Sequence, residues 1–224
     1  MHQRKSKKII IYIFLLLILG SINNLNLINS FKFDKIKNIK VSGLKETDNE
    51  IILKSLENLD LRNIFLINNY EISKIVSSFS LVEKFEIFKK YPSSLSIEIK
   101  KTDFLARINI DDTILIIGSN GKLLENRSSE KNLPFIFGKP NITEFLKFKS
   151  KLDISQIDYN KIKNFYFFPS KRWDIQLKNN IVLKLPREKL SDSLDDAFEF
   201  INNESFNNTK VLDLRIKNRL ILND

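Results

Sequence analysis

The chain of 224 residues contains no cysteine. Disulfides, thiolate nucleophiles, iron–sulfur clusters and cysteine-held zinc are therefore excluded. Its single histidine, His2, lies at the extreme N-terminus. A histidine-ligated metal or a Ser-His-Asp relay needs an imidazole inside a folded site, so neither is expected. Glycine is scarce, at five residues. Neither GxGxxG nor GxxxxGK followed by Ser or Thr occurs, so phosphate-cradling loops are not expected either. Carboxylate chemistry is what remains for catalysis. The adjacent pairs Asp111-Asp112 and Asp195-Asp196 read as a loop and a helix surface, not as a working acid–base pair. No cofactor and no small-molecule substrate is expected, and the composition argues against an enzyme.

What is present is ordinary globular material. At 42% hydrophobic and 29% charged residues the chain is not mainly disordered. The net charge of +10 is unevenly placed. Residues 1–33 hold Arg4, Lys5, Lys7, Lys8 and Lys32 and no acid, which leaves 32 basic against 27 acidic residues, a net +5, in 34–224. Nucleic-acid binding would call for basic residues spread over a folded face with interleaved aromatics, so it is not expected.

The basic run is followed by an uninterrupted apolar segment, Ile9 to Leu19. Extended to Ile28, it reaches about 30 Å as a helix, enough to cross a bilayer. Residues 9–28 are thus expected to form a transmembrane helix, after a cytoplasmic tail at 1–8 and before a linker at 29–35. A cleaved signal peptide competes. The anchor is preferred because Leu19-Gly20-Ser21-Ile22 offers no small-x-small cleavage site. Either way, the basic residues hold the N-terminus in the cytoplasm and export the rest.

The exported part divides in two. In 36–102 the order is β-α-α-β-β. A strand with Ile39 and Val41 ends at Gly43, and Thr47-Asp48-Asn49-Glu50 reads as a capping box before a helix carrying Ile52 and Leu56. A second helix starts near Asn69. Two strands follow, turning at Tyr91-Pro92-Ser93-Ser94, and Leu95, Ile97 and Ile99 alternate with polar residues. In 103–224 strands dominate. Turns are expected at Asp111-Asp112, at Ser119-Asn120-Gly121-Lys122 and at Asn179-Asn180, the last because Asn tolerates positive φ. Asn141 caps a helix. Trp173, Ile175 and Leu177 alternate with Asp174, Gln176 and Lys178, so the latter are expected to face solvent. A helix spans Leu190 to Ile201, and Val211 to Ile216 and Leu220 to Leu222 form the last strands. The fold class is α+β, with a mostly antiparallel β unit and flanking helices in the second part.

Several local patterns, taken in order, carry a family resemblance. They are Ile39-Lys40-Val41-Ser42-Gly43, Tyr91-Pro92-Ser93-Ser94-Leu95, Leu133-Pro134-Phe135-Ile136-Phe137-Gly138, the Trp173 hairpin from Arg172 to Pro186 (with Asn180 where Gly is usual), and Leu212-Asp213-Leu214-Arg215 followed by Arg219. Behind an N-terminal anchor, this plan resembles the FtsQ/DivIB family of bitopic bacterial cell-division proteins, whose first exported domain is a POTRA domain. The resemblance implies a non-enzymatic divisome scaffold of the cell inner membrane. Its bulk would lie in the periplasm at mid-cell, linking early and late division proteins and binding FtsB and FtsL. A POTRA-bearing outer-membrane assembly or secretion component is the alternative, but the sequence lacks the long series of alternating strands of a membrane barrel. A periplasmic wall enzyme lacks a nucleophile–base set.

Partner binding is expected at the last strand. Leu220, Ile221 and Leu222 form a consecutive apolar run, bracketed by Arg215 and Arg219, and a free strand edge presents unpaired N–H and C=O groups. The Ile221 N–H is expected to be a donor to the partner. Arg215 and Ile216 complete the expected contact set by the resemblance, with Ile216 standing where the family commonly has an aromatic residue. Trp173, Gly43 and Pro92 are expected to be structural.

Overall fold

The computed structural model describes residues 3–22, 36–59, 64, 67–125, 132–202, 210–216 and 221–223. Helix α1, Gln3–Ile22, contains the apolar run. Every side chain from Ile9 to Leu19 is exposed on it. Among the described residues, no helix is long and apolar enough to cross a membrane. The helix opens on the polar and cationic residues Gln3 to Lys8, so its apolar run covers only about 16 Å at about 1.5 Å per residue. Residues 23–28 of the expected span, and His2, lie outside the described residues.

The first sheet is built from β1 (Asn38–Ser42), β2 (Val82–Lys90) and β3 (Ser94–Lys101), in the order β1-β3-β2. Strand β1 runs parallel to β3, and β2 antiparallel to it. The parallel pairing requires a crossover, which α2 (Glu46–Glu57) and α3 (Asn69–Ser78) provide. Leu95, Ile97 and Ile99 of the central strand meet Ile52, Leu56, Ile72 and Val76 from the two helices in one apolar core. The expected capping box does not form. Helix α2 already begins at Glu46, with Lys45 as an N-cap that makes no side-chain cap bond. Thr47 is therefore inside the first turn. The Asn49 side chain instead closes on Leu44, donating to its carbonyl at 3.1 Å and accepting from its N–H at 3.2 Å. Gly43 is required by the turn between β1 and α2: its φ is +108°, and a Cβ there would lie 1.8 Å from the Ile99 carbonyl oxygen.

The second sheet has nine strands in the order β12-β11-β10-β9-β8-β7-β4-β5-β6. They are β4 (Phe104–Ile110), β5 (Thr113–Gly118), β6 (Leu123–Glu125), β7 (Phe135–Phe137), β8 (Ile162–Phe167), β9 (Trp173–Leu177), β10 (Val182–Lys184), β11 (Val211–Asp213) and β12 (Ile221–Asn223). Two of its parallel pairs arise where a helix intervenes. Helix α4 (Ile142–Ile154) carries the chain from β7 to β8, and α5 (Leu190–Ile201) carries it from β10 to β11. The turns follow from residues that accept positive φ: Asp111 at 48°, Asp112 at 62° and Asn180 at 70°. Helix α4 has a complete capping box, in which Asn141 Oδ1 accepts from the Thr143 N–H at 2.7 Å and Glu144 Oε2 from the Asn141 N–H at 3.2 Å.

Trp173 sits at the centre of this unit's core and is 6% exposed. Its ring stacks on Phe148 at 4.6 Å and contacts Phe145, Phe165 and Phe167. Asp174, expected to face solvent, is instead 4% exposed. It keeps its charge balanced by accepting from Arg172 Nε at 3.1 Å. Pro92 lies exposed in the β2–β3 turn, after a cis Tyr91–Pro92 bond.

The two units are joined by a polar clasp. Glu83 Oε2 accepts from Thr102 Oγ1 at 3.0 Å and from Ser119 Oγ at 2.8 Å. Asn120 Nδ2 donates to the carbonyls of Ser80 and Val82, both at 2.9 Å, and Lys122 Nζ donates to those of Ser77 and Phe79. The β5–β6 turn thereby satisfies backbone carbonyls at the end of α3 and the start of β2, groups that would otherwise need water.

The strand phase of the first sheet gives a direct test. Ile97 is fully buried and Glu98 exposed. Ile97→Asp should bury an uncompensated charge and unfold the first unit, since the cost of several kcal/mol is comparable to a small domain's whole stability. Glu98→Lys should leave the melting temperature within about 2 °C of the unaltered chain, as surface substitutions do. Equal melting temperatures for the two variants would contradict this packing.

Candidate docking edge of the nine-stranded sheet

Strand β12 occupies one end of the large sheet and, among the described residues, pairs on one side only, with β11. The hydrogen-bonding direction of β11 decides which backbone groups of β12 are free. Lys210 accepts from the Val182 N–H at 2.9 Å, and Leu214 donates to the Lys184 carbonyl at 2.9 Å. Backbone groups alternate with a period of two along a strand. Lys210, Leu212 and Leu214 thus turn toward β10, while Val211 and Asp213 turn toward β12. The antiparallel register sets Val211 opposite Asn223, Leu212 opposite Leu222 and Asp213 opposite Ile221. Ile221 and Asn223 therefore direct their N–H and C=O groups at β11, and Leu222 directs its own outward. This corrects the expectation for Ile221, whose N–H is committed within the chain; the outward donor and acceptor belong to Leu222.

An ion pair lies at the end of β11, beside the edge. Asp213 is 7% exposed. Its carboxylate accepts from the Arg215 N–H at 3.1 Å, from Arg215 Nε at 2.7 Å and, at its other oxygen, from Nη2. The Arg215 guanidinium holds the Asp213 carboxyl below the usual carboxylate range, against the opposing effect of burial. Asp174 behaves oppositely: burial raises it, despite the bond from Arg172. The register aligns Asp174, Lys184 and Asp213 across β9, β10 and β11, so a carboxylate–ammonium–carboxylate row lies on one sheet face, with Arg172 and Arg215 at its two ends. Opposite charges on neighbouring strands stabilise this pairing. Leu183 and Leu212 point to the other face, into the core.

Of the residues expected at the contact, Arg215 and Ile216 follow directly after Leu214 and are exposed; strand β11 ends at Asp213 and does not run on to Ile216. Ile221 and Leu222 lie in β12. Arg219 and Leu220 lie outside the described residues. Among the described residues, no cluster of three or more His, Cys, Asp or Glu could hold a metal ion.

Residues 34–101 match the family model "POTRA domain, FtsQ-type", and residues 106–215 match "Cell division protein FtsQ/DivIB, C-terminal". The chain belongs to the FtsQ/DivIB family. It is similar to the cell division protein FtsQ of Rickettsia bellii (strain RML369-C), 26% identical over 188 residues, which cover 83% of this chain and 70% of that protein. It is also similar to the cell division protein DivIB of Clostridium botulinum (strain Loch Maree / Type A3), 30% identical over 156 residues, covering 67% of this chain and 59% of that protein. A solved structure, the major extracytoplasmic domain of the trans isomer of DivIB from Geobacillus stearothermophilus, aligns with 42% of this chain and 87% of its own length. That alignment has a TM-score of 0.32 and 13% identity. The FtsQ/DivIB family is one of cell-division proteins and is not a known enzyme family.

In this FtsQ/DivIB chain, sequence reasoning missed the inward role of Asp174 and Asp213. A signal was present: Arg172-x-Asp174 and Asp213-x-Arg215 put opposite charges on one face of a strand, two residues apart. The Asp213 pair has a pH signature. A carboxyl held low in the folded state adds stability above its unfolded value of about 3.9, and that contribution is lost as pH falls through the folded value. Asp213→Asn should therefore lower urea stability at pH 7 by about 1 kcal/mol, kept small because Arg215 is partly exposed. The gap to the unaltered chain should narrow on acidification below the ordinary carboxylate range, as the folded carboxyl takes up its proton. A gap that widens on acidification would contradict the assignment.

Proposed function

We propose that the chain is a non-enzymatic divisome scaffold of the cell inner membrane. A single N-terminal pass holds it there, with the bulk of the chain in the periplasm at the mid-cell division site. It links early and late division proteins and binds the FtsB/FtsL pair by strand addition at β12. The observation that carries this reading is the outward backbone edge of Leu222, on a strand that among the described residues pairs only with β11. Strand addition satisfies such groups with a partner's main chain. Arg215 adds positive charge beside the edge. Its Nε and Nη2 are taken by Asp213, while Nη1 takes no part in that pair and suits an acidic residue on the partner.

The membrane part of the proposal is supported by the exposed apolar side chains of Ile9 to Leu19 on α1 and by the lysines and arginine before them. A contiguous apolar surface of this kind is stable only against lipid or protein, and the preceding cations favour a cytoplasmic N-terminus. An alkaline phosphatase fused after Asp224 should be active in cells, and the mature protein should keep its N-terminal segment. An inactive fusion, or a chain starting near Ser21, would contradict the anchor.

Docking is tested at the backbone. Leu222→Pro removes an outward donor, whereas Leu222→Ala keeps it. In a pull-down with the FtsB/FtsL pair, Leu222→Pro should lose capture at least about tenfold, equivalent to about 1.4 kcal/mol, with circular dichroism unchanged. Leu222→Ala should retain most of it. A folded Leu222→Pro chain that captures the pair at full strength would contradict strand addition.

A further inference from the structure

A second surface lies on the helix-covered side of the large sheet, away from its backbone edge. Helix α4, the end of β8, the start of β9 and the first residue of α5 enclose an open cavity of about 330 Å³. Its floor is apolar, made by Phe148, Phe167, Trp173 and Leu190. Its rim is cationic, carrying Lys147, Lys151 and Lys171. The one carboxylate at the rim, Glu144, is already engaged: Oε2 accepts from the Asn141 N–H at 3.2 Å and Oε1 meets Lys171 Nζ at 3.3 Å. Neither Lys147 nor Lys151 forms a salt bridge with a described residue, although Lys149 between them is paired with Asp153. Lys147 and Lys151 stand four residues apart on one helix face, a like-charge spacing that costs the helix stability unless an anion lies between them.

We infer that this cavity docks an acidic peptide segment of a partner protein, with one large apolar side chain seated on the aromatic floor and carboxylates beside it meeting Lys147 and Lys151, the rim lysines that Glu144 leaves unpaired. Two properties point to that occupant together. The enclosed volume is at the small end of ligand cavities, suited to one anchoring side chain. The surrounding charge is of one sign after Glu144 is accounted for, and complementary charge selects the segment and speeds its approach. The site uses none of the β12 backbone, so it stands or falls independently of strand addition.

Trp173 is the only tryptophan of the chain and lines this cavity, so its fluorescence reports occupancy. The full chain in neutral detergent is titrated with a nine-residue peptide carrying one Leu among Glu and Asp residues. A saturable change in Trp173 emission is expected, weakening at least tenfold between 50 and 500 mM salt. The same peptide with Lys replacing its acids should cause none, and the acidic peptide with Ser in place of Leu should bind at least tenfold more weakly. Lys147→Glu with Lys151→Glu should abolish the response while circular dichroism and the melting curve stay unchanged. Lys147→Gln with Lys151→Gln should give an intermediate affinity. The inference is overturned if the acidic peptide gives no saturable change, if the basic peptide acts equally, or if the double Glu variant responds like the unaltered chain. It is overturned as well if short-chain phosphatidylglycerol below its micelle concentration gives the same lysine-dependent change, which would assign the cavity to lipid, or if dilution of the chain alone produces it, which would assign it to a second copy.

Discussion

Three residues of parallel pairing between β10 and β11 hold the C-terminal edge of this protein in place. Val182, Leu183 and Lys184 align with Val211, Leu212 and Asp213. Everything beyond them in the sheet is β12. A three-residue ladder is short, and loop closure through α5 must be offset before it forms. Two side chains make it possible. Leu212 is 3% exposed and joins the main core beside Leu183, and burial of a side chain of that size contributes about 1.5–3 kcal/mol. On the other face Asp213 stands opposite Lys184 of β10, its buried carboxylate compensated by Arg215 of its own segment. The pairing also sets the direction of every backbone group on β11, and hence on β12. The docking chemistry is thus inherited from a register fixed two strands away.

The frame behind this edge is continuous. Helices α4 and α5 cover one face of the large sheet, and the aromatic cluster around Trp173 fills the space beneath them. At the far end, the β5–β6 turn grips the first unit through Asn120, Lys122 and Ser119. These bonds satisfy carbonyls of Ser77, Phe79, Ser80 and Val82, so parting the two units would leave partly buried acceptors in need of water. In the proposed scaffold role, such a frame would hold partners bound at opposite ends in a fixed geometry.

Much of this fold was legible in the sequence because local chemistry dictated it. Gly43 could be read as structural, and the φ of +108° beside Ile99 explains it. Asn179-Asn180 signalled a hairpin because Asn tolerates the positive φ that Asn180 adopts. Helix α5 was readable to its ends from the spacing of Leu190, Leu194 and Ala197. The misreadings came from tertiary context. Thr47 and Glu50 fit a capping box in isolation, but Asn49 competes for the same stretch by closing on Leu44. The period of two assigned Asp174 to solvent, yet an ion pair with Arg172 lets it be buried. At the edge, the apolar run Leu220 to Leu222 suggested a docking strand, but no sequence pattern reveals which of its amides point outward. That depends on register with β11, a non-local property.

The outward direction of the Leu222 backbone is the central element of the account, and amide hydrogen exchange reads it residue by residue. With the FtsB/FtsL pair bound, the Leu222 amide should become strongly protected. The Ile221 amide, already bonded to β11, should change much less. Unchanged exchange at Leu222 in a saturated complex, or protection confined to Ile221 and Asn223, would contradict strand addition at this edge.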